Sequence, residues 1–374
     1  MLICVHLWLE KGRGRAVHPR RWPRDSVSLT LTLAMLRPEP AEGAALSKPE
    51  RVQAALGGDA VDRVPVSAWW HEFAREWSPE ALAAATLEAF RTYDWDFIKV
   101  NPRATYYAED WGTRFQPRPD RQPELIEAAV RSADDLSRLQ RLDVTQGAYG
   151  EQLAALNLIA RELGAEAPFI QTVFSPLAVV SRLTGSTAFV QRLIREHPDA
   201  LLAALDVIAE TLAAYARACL DTGAAGVFFA TVEWGSADHI SADDYDRFAR
   251  PFDLRVLEAV RDAPFNVFHV CRGNNHLRRL LDYPAAAFHW DVHGEGNPSL
   301  AEVAALTDRV LMGGVSQAPE SLADPGRVAA QARDALAQTK GSRFLLAPGC
   351  SIEPHTPEAG LRALREAVAG GARP

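Results

Sequence analysis

Cysteine is scarce in this chain of 374 residues: there are four, Cys4, Cys219, Cys271 and Cys350. They are too few and too scattered for a disulfide framework, so a reducing, cytoplasmic setting is the expectation, and paired thiols are better suited to a metal. No apolar run is long enough to cross a bilayer, so no membrane partner is expected. Beyond the first few dozen residues Lys and Arg nowhere cluster, and the formal net charge is -8. That balance excludes a nucleic-acid surface, which needs concentrated positive charge, and leaves a small molecule as the expected partner. No G-x-G-x-x-G follows the first apolar run, so nothing supports a dinucleotide fold. What is present is an ordinary globular mixture, 48% hydrophobic and 24% charged.

The opening stretch, MLICVHLWLEKGRGRAVHPRRWPRD, has the trappings of a targeting sequence in the wrong order. Its apolar part is short, is broken by Glu10, and precedes the basic cluster, whereas a signal peptide has its basic residues first. An Arg-rich presequence and a start at Met35 are the alternatives. Residues 1–45 are expected to form a poorly ordered extension without catalytic use, and residues 46–374 a single domain.

From SKPERVQAALGG onward the chain becomes regular. Ser47 is placed to cap a helix with Pro49 and Glu50 in its first turn, and Gly57-Gly58 to end it. Short apolar runs then alternate with amphipathic segments. The runs are VPVSAWW (64–70), FIKVN (97–101), FIQTVFSP (169–176), GVFFA (226–230), NVFHVC (266–271), AAFHWD (286–291), VLMGGV (310–315) and FLLAPGC (344–350). Near-continuous Val, Ile, Leu and Phe marks parallel strands covered on both faces. Eight such runs, separated by helical patterns, predict an α/β fold of the (β/α)8 TIM-barrel type.

In such a barrel, function gathers where strands end and the following loops begin. Those positions carry Trp69, Trp70 and His71, then Asn101, Ser175, Glu233, His269 with Cys271, Asp291 with His293, and Cys350. His269 and Cys271 are two apart and share a strand face. With Cys350 they make an imidazole and two thiolates, a set that suits Zn²⁺ and leaves a fourth position open, as catalytic zinc requires. Singly, a His or Cys on an apolar strand is more often a core residue; the coincidence of three at the same end of the barrel favours ligation. Glu233 and Asp291 are the candidate acid, base or fourth ligand, against a solvated loop role. Trp69, Trp70, His71, Asn101, Ser175 and His293 are candidate pocket residues, with barrel packing the alternative for the tryptophans and a capping role for His71.

The segments FHVCRGNN and LLAPGCSIEPHTPEAGLRAL together resemble the uroporphyrinogen decarboxylase superfamily, in particular its methylcobalamin:coenzyme M methyltransferase branch, with Arg272 standing before Gly273. TVFSPLAVVSRLTG and LMGGVSQ add weaker likeness, and the whole covers roughly residues 48–370. The resemblance implies that zinc holds a small-molecule thiol as thiolate, which accepts a methyl group from a methylated corrinoid protein or methylcobalamin. A homodimer is a further partner to test. The superfamily's decarboxylases carry an Arg-rich segment after the first strand, where this chain has VSAWWHEFAREW; porphyrin decarboxylation is therefore the alternative, and a non-catalytic barrel that partners a corrinoid protein the third reading. DVHGEG (291–296) fits a D-x-H-x-x-G cobalt-ligand pattern, but lacks room for the separate domain that carries it, so Asp291 and His293 are read as loop or pocket residues.

Overall fold

The computed structural model describes residues 45–369, so the extension expected over residues 1–45 lies, up to Ala44, outside the described residues. The first helix, Lys48–Gly57, begins at a capping box in which Ser47 and Glu50 satisfy each other's backbone amides, and stops at Gly58, whose φ of 82° a side chain would resist. Among the described residues nine strands follow in chain order: β1 (Ile98–Val100), β2 (Arg114–Gln116), β3 (Glu124–Glu127), β4 (Phe169–Phe174), β5 (Gly226–Ala230), β6 (Val267–Val270), β7 (Ala287–Trp290), β8 (Val310–Val315) and β9 (Phe344–Pro348). Seven of them form one parallel sheet in the order β1-β4-β5-β6-β7-β8-β9, and β2 with β3 makes a separate antiparallel hairpin. Helices occupy the connections, as parallel neighbours demand.

The first apolar run of the sequence, residues 64–70, meets both edges of this curled sheet without becoming a regular strand. On one side it exchanges bonds with β9 through Leu346 N to Pro65 O (2.9 Å) and Ser67 N to Leu346 O (3.2 Å), and further on Ile352 N reaches Trp69 O (3.1 Å). On the other side a single backbone bond remains and side chains supply the rest. Asp96 N donates to Val66 O, the Asp96 carboxylate accepts Val66 N at 2.9 Å, and Ser67 Oγ donates to Phe97 O at 2.8 Å. Pro65, which has no N–H, fits a position that cannot join a full ladder. Asp96 is fully buried and also binds Arg51 Nη1 at 2.8 Å and Arg63 Nη1 at 2.5 Å, so one carboxylate ties the first helix to the seam.

Two apolar clusters flank the sheet. The inner one fills the ring with Trp69, Phe97, Ile170, Phe228, Val267, Ala287, Met312, Leu345 and their neighbours; the larger outer one lies between strands and helices. The register aligns Ala230 with His269, His269 with His289, and His289 with Met312, which brings two histidines side by side in the interior.

Candidate active site

His269, near the end of β6, and Cys350, just beyond β9, come from opposite parts of the chain and meet: Cys350 Sγ lies 3.6 Å from His269 Nε2. Cys271 joins them beside the Cys350 sulfur. The interaction with Cys271 holds the Cys350 thiol well below its ordinary range, with His269 and Lys99 adding to the effect, whereas burial pushes Cys271 well above it. Cys219, the remaining described cysteine, is buried in the outer core and its thiol is pushed up by desolvation.

Behind His269 stands His289, which strand register places directly beside it. Its Nε2 is 2.9 Å from Pro348 O, a carbonyl that can only accept, so Nε2 carries the proton. Burial keeps the ring neutral, and Nδ1 is then an acceptor, 2.8 Å from His269 Nδ1. The His269 proton consequently sits on Nδ1, shared with His289 O at 3.2 Å, and Nε2 is the atom turned toward Cys350. This is the arrangement by which a second partner fixes the ligating nitrogen of an imidazole.

The loops around this trio are held in tight conformations. Gly349 passes so close to Asp291 that a Cβ would lie 2.6 Å from its Cα, which accounts for glycine immediately before Cys350. Gly235 likewise approaches the Cys271 backbone, with 3.0 Å available to a Cβ. Val232 (φ 53°) and Arg272 (φ 72°) adopt left-handed backbone, which is costly for a β-branched residue above all, and both line the same cleft at the mouth. That cleft, about 1050 Å³, is also bordered by Tyr107, Arg182, Glu233 and His239.

The other candidates divide. Trp69 is buried and packs edge-on against Phe228 and His289, with centroids at 5.4 Å in each case, so it belongs to the site's floor. Asn101 lies near Cys350 through Ser351 Oγ, which donates to Asn101 Oδ1 at 3.3 Å. Glu233 sits on a short 3-10 turn in the mouth cleft, beside Thr187. Trp70 turns outward onto Tyr93 and donates to Glu72, and His71 stacks on Phe73 with Nδ1 on Glu76 at 2.8 Å. Ser175 caps the helix Pro176–Thr184. Asp291 braces its own loop, accepting from His293 N and Gln317 Nε2, while His293 faces Gly314 O and lines a different cleft of about 340 Å³.

Two interior residues escape a reading of the sequence. His289 lies in a run that reads as plain core, although its period-two position matches that of His269. Lys99 lies in FIKVN; it is buried, its ammonium stands 4.9 Å from the Phe228 ring centroid and 5.5 Å from that of Trp69, and burial brings its pKa from 10.5 down to about 7 against the opposing pull of Cys350, Cys271 and Glu76. Among the described residues no group of three or more His, Cys, Asp or Glu stands assembled as a metal cage. The donor set nonetheless fits zinc in its chemistry, and the separation of 3.6 Å between His269 Nε2 and Cys350 Sγ is close to the edge of about 3.5 Å that bond lengths of roughly 2.0 and 2.3 Å give in a tetrahedral Zn²⁺ site.

The signature of the family described as uroporphyrinogen decarboxylase (URO-D) matches residues 47–370, and the chain belongs to that family. Its relatives include the methylcobamide:CoM methyltransferase MtbA of Methanosarcina acetivorans, 24% identical over 85% of this chain and 96% of the relative. MtaA of Methanosarcina barkeri, also a methylcobamide:CoM methyltransferase, is 26% identical over 84% and 95%. A uroporphyrinogen decarboxylase of Prochlorococcus marinus is 27% identical over 63% and 67%. Among solved structures, a methyltransferase from Methanosarcina mazei superposes with a TM-score of 0.73 at 24% identity, covering 86% of this chain and 98% of that one, which establishes the shared fold. No helix among the described residues is long and apolar enough to cross a membrane.

Proposed function

We propose that this chain is a methyltransferase that binds zinc through His269, Cys271 and Cys350 and uses it to present a substrate thiol to a methylated corrinoid. The observation that carries this reading is the meeting of His269 Nε2 and Cys350 Sγ at 3.6 Å, with Cys271 on the same sulfur. Bound there, zinc would supply the charge that keeps a thiol, ordinarily protonated at neutral pH, in its nucleophilic form. The chain's own residues do the rest. His289 and Pro348 O hold the His269 proton on Nδ1, Trp69 and Phe228 exclude water from beneath the trio, and Gly349 lets the Cys350 loop close over Asp291. The substrate sulfur would take the methyl group from the corrinoid donor, the C–S bond forming as the donor's bond to that carbon breaks with its electron pair staying on the donor, and the thiol proton would pass to solvent through Glu233 in the wide mouth cleft. The extent of likeness to the two methylcobamide:CoM methyltransferases supports this assignment over the decarboxylases, whose match spans less of the chain.

Metal analysis of the purified protein beside His269→Ala and Cys350→Ala tests the reading. Stoichiometric zinc in the wild type, lost in both variants, together with thiol methylation from methylcobalamin, is the expected result. Metal-free protein that turns over uroporphyrinogen would reverse it in favour of decarboxylation. Zinc without methylation of any thiol would favour a non-catalytic partner of a corrinoid protein.

A further inference from the structure

Phe97 belongs to the inner cluster, and Lys99, two residues on along β1, follows it into the ring. An ammonium is out of place there. Lys99 is buried, its contacts are the Asn101 side-chain oxygen and the faces of Trp69 and Phe228, and it forms no ion pair among the described residues. A methionine would fill the same space without the cost of burying a charge, a cost that one amide oxygen and two aromatic faces offset only in part. The thiol centre is what lies next to it. Phe228, with its ring centroid 4.9 Å from the ammonium, stands 5.1 Å from the His269 ring and 5.3 Å from that of His289. Asn101 Oδ1, which accepts from Lys99, also accepts from Ser351 Oγ at 3.3 Å, the residue after Cys350. Two short chains of contact thus lead from Lys99, one toward the β6 side of the site and one toward Cys350. The negative charges that act on Lys99 are, in descending order, those of Cys350, Cys271 and Glu76, and Glu76 is already engaged by His71 Nδ1 and the Glu72 amide, both at 2.8 Å.

We propose that Lys99 is the counter-charge of the thiol centre, a positioning residue whose ammonium makes the space beside Cys350 favour an anionic occupant over a neutral one. For the substrate this rests on the thiol-methylation reading. One imidazole and two thiolates leave Zn²⁺ formally neutral, so a substrate entering as a third thiolate brings a negative charge that the ligands do not balance. Lys99 balances it from within the ring. Once methylated, the sulfur is a neutral thioether, the attraction is gone, and the product leaves more readily than the substrate.

Lys99→Met and Lys99→Gln test this at pH 6.5, below the value of about 7 to which burial brings Lys99. The glutamine variant keeps a donor for Asn101 and stands in if the methionine variant fails to fold. In the metal-free protein, Cys350 is alkylated with iodoacetate, an anion, and with iodoacetamide, which is neutral, and the rates are read by peptide mass. Their ratio cancels the thiolate population and exposure of Cys350, leaving the local field, and is expected to fall roughly 10-fold in both variants. In cobalt-loaded protein, 2-mercaptoethanol, bound as an anion, is followed by its sulfur-to-metal absorption and compared with imidazole, bound neutral. The variants are expected to weaken 2-mercaptoethanol by roughly 10–50-fold, the effect of a unit charge beyond contact distance at an effective dielectric of about 20, and imidazole by no more than about twofold. An alkylation ratio that stays at the wild-type value in both variants would overturn the proposal, as would equal losses for the two cobalt ligands. A ratio that falls in a protein that takes up no metal leaves the counter-charge standing and removes the zinc reading. Thiol methylation with an unchanged ratio does the reverse.

Discussion

Replacing His289 with Phe isolates the contribution of the residue behind the candidate ligand. Phe fills nearly the same space and preserves the ring contacts with Trp69 and Phe228, at 5.4 and 5.3 Å. It removes the acceptor 2.8 Å from His269 Nδ1 and the donor 2.9 Å from Pro348 O. His269 keeps a second acceptor, His289 O at 3.2 Å, because that atom belongs to the backbone. Its ring is therefore loosened and not released, and the loss of zinc affinity should match that of a typical outer partner, about 10–100-fold or ~1.4–2.8 kcal/mol. The orphaned Pro348 carbonyl adds an independent stability cost of about 1–3 kcal/mol. Competition with a chromophoric chelator at fixed pH measures the first quantity, and urea denaturation of the metal-free protein the second. His289→Gln, which can both accept and donate, should recover part of the affinity. A folded His289→Phe protein holding zinc as tightly as the wild type would show that the His269 proton is not placed by its neighbour.

Other expectations follow from the surrounding structure. Asp253 is buried under the phenols of Tyr245 (2.9 Å) and Tyr283 (3.3 Å), and burial pushes its pKa from 3.8 up to about 7. Between those values the folded state holds more protons than the unfolded one, so stability falls as pH rises and levels off above neutrality. Asp253→Asn should abolish a decline of roughly 2–3 kcal/mol between pH 5 and pH 8, and an identical wild-type-to-variant difference at both pH values in denaturation experiments would refute the cause. Asp96→Ala leaves the buried Arg51 and the partly buried Arg63 without their shared carboxylate and should destabilise by about 3–5 kcal/mol, read as a large fall in Tm. Gly349→Ala forces the Cys350 loop off Asp291 and should lower metal affinity at least as much as His289→Phe, measured by the same competition. Arg272→Gly relieves a left-handed residue with an exposed side chain and should raise unfolding free energy by up to ~1 kcal/mol.

The architecture is legible because buried parallel strands advertise themselves as unbroken apolar runs; GVFFA, NVFHVC and VLMGGV each contain a strand of the sheet. VPVSAWW has the same composition yet forms only isolated bridges, since its partner on one side is the Asp96 side chain, which no pattern of apolar residues announces. The hairpin of β2 and β3 is invisible for the opposite reason: its residues are mostly exposed, its strands are short, and charged and apolar residues do not alternate. Within the site, His269, Cys271 and Cys350 are readable from residue chemistry at strand ends. Lys99 and His289 are not, because each is one polar residue inside an apolar run, and only the neighbouring strands reveal what it faces. Ser175 illustrates the reverse error, since a serine at a strand end is equally the first residue of the next helix, and here it serves as a cap.

The ring of strands has one place where its continuity depends on a carboxylate and a hydroxyl instead of a ladder, the junction of residues 64–70 with the segment leading into β1. Elsewhere the ring is closed by rows of amide–carbonyl bonds, as between the paired strands that carry His269 and His289; here one backbone bond, Asp96 N to Val66 O, stands with the two side-chain bonds, so the closure of the barrel hangs on the same carboxylate that anchors Arg51 and Arg63.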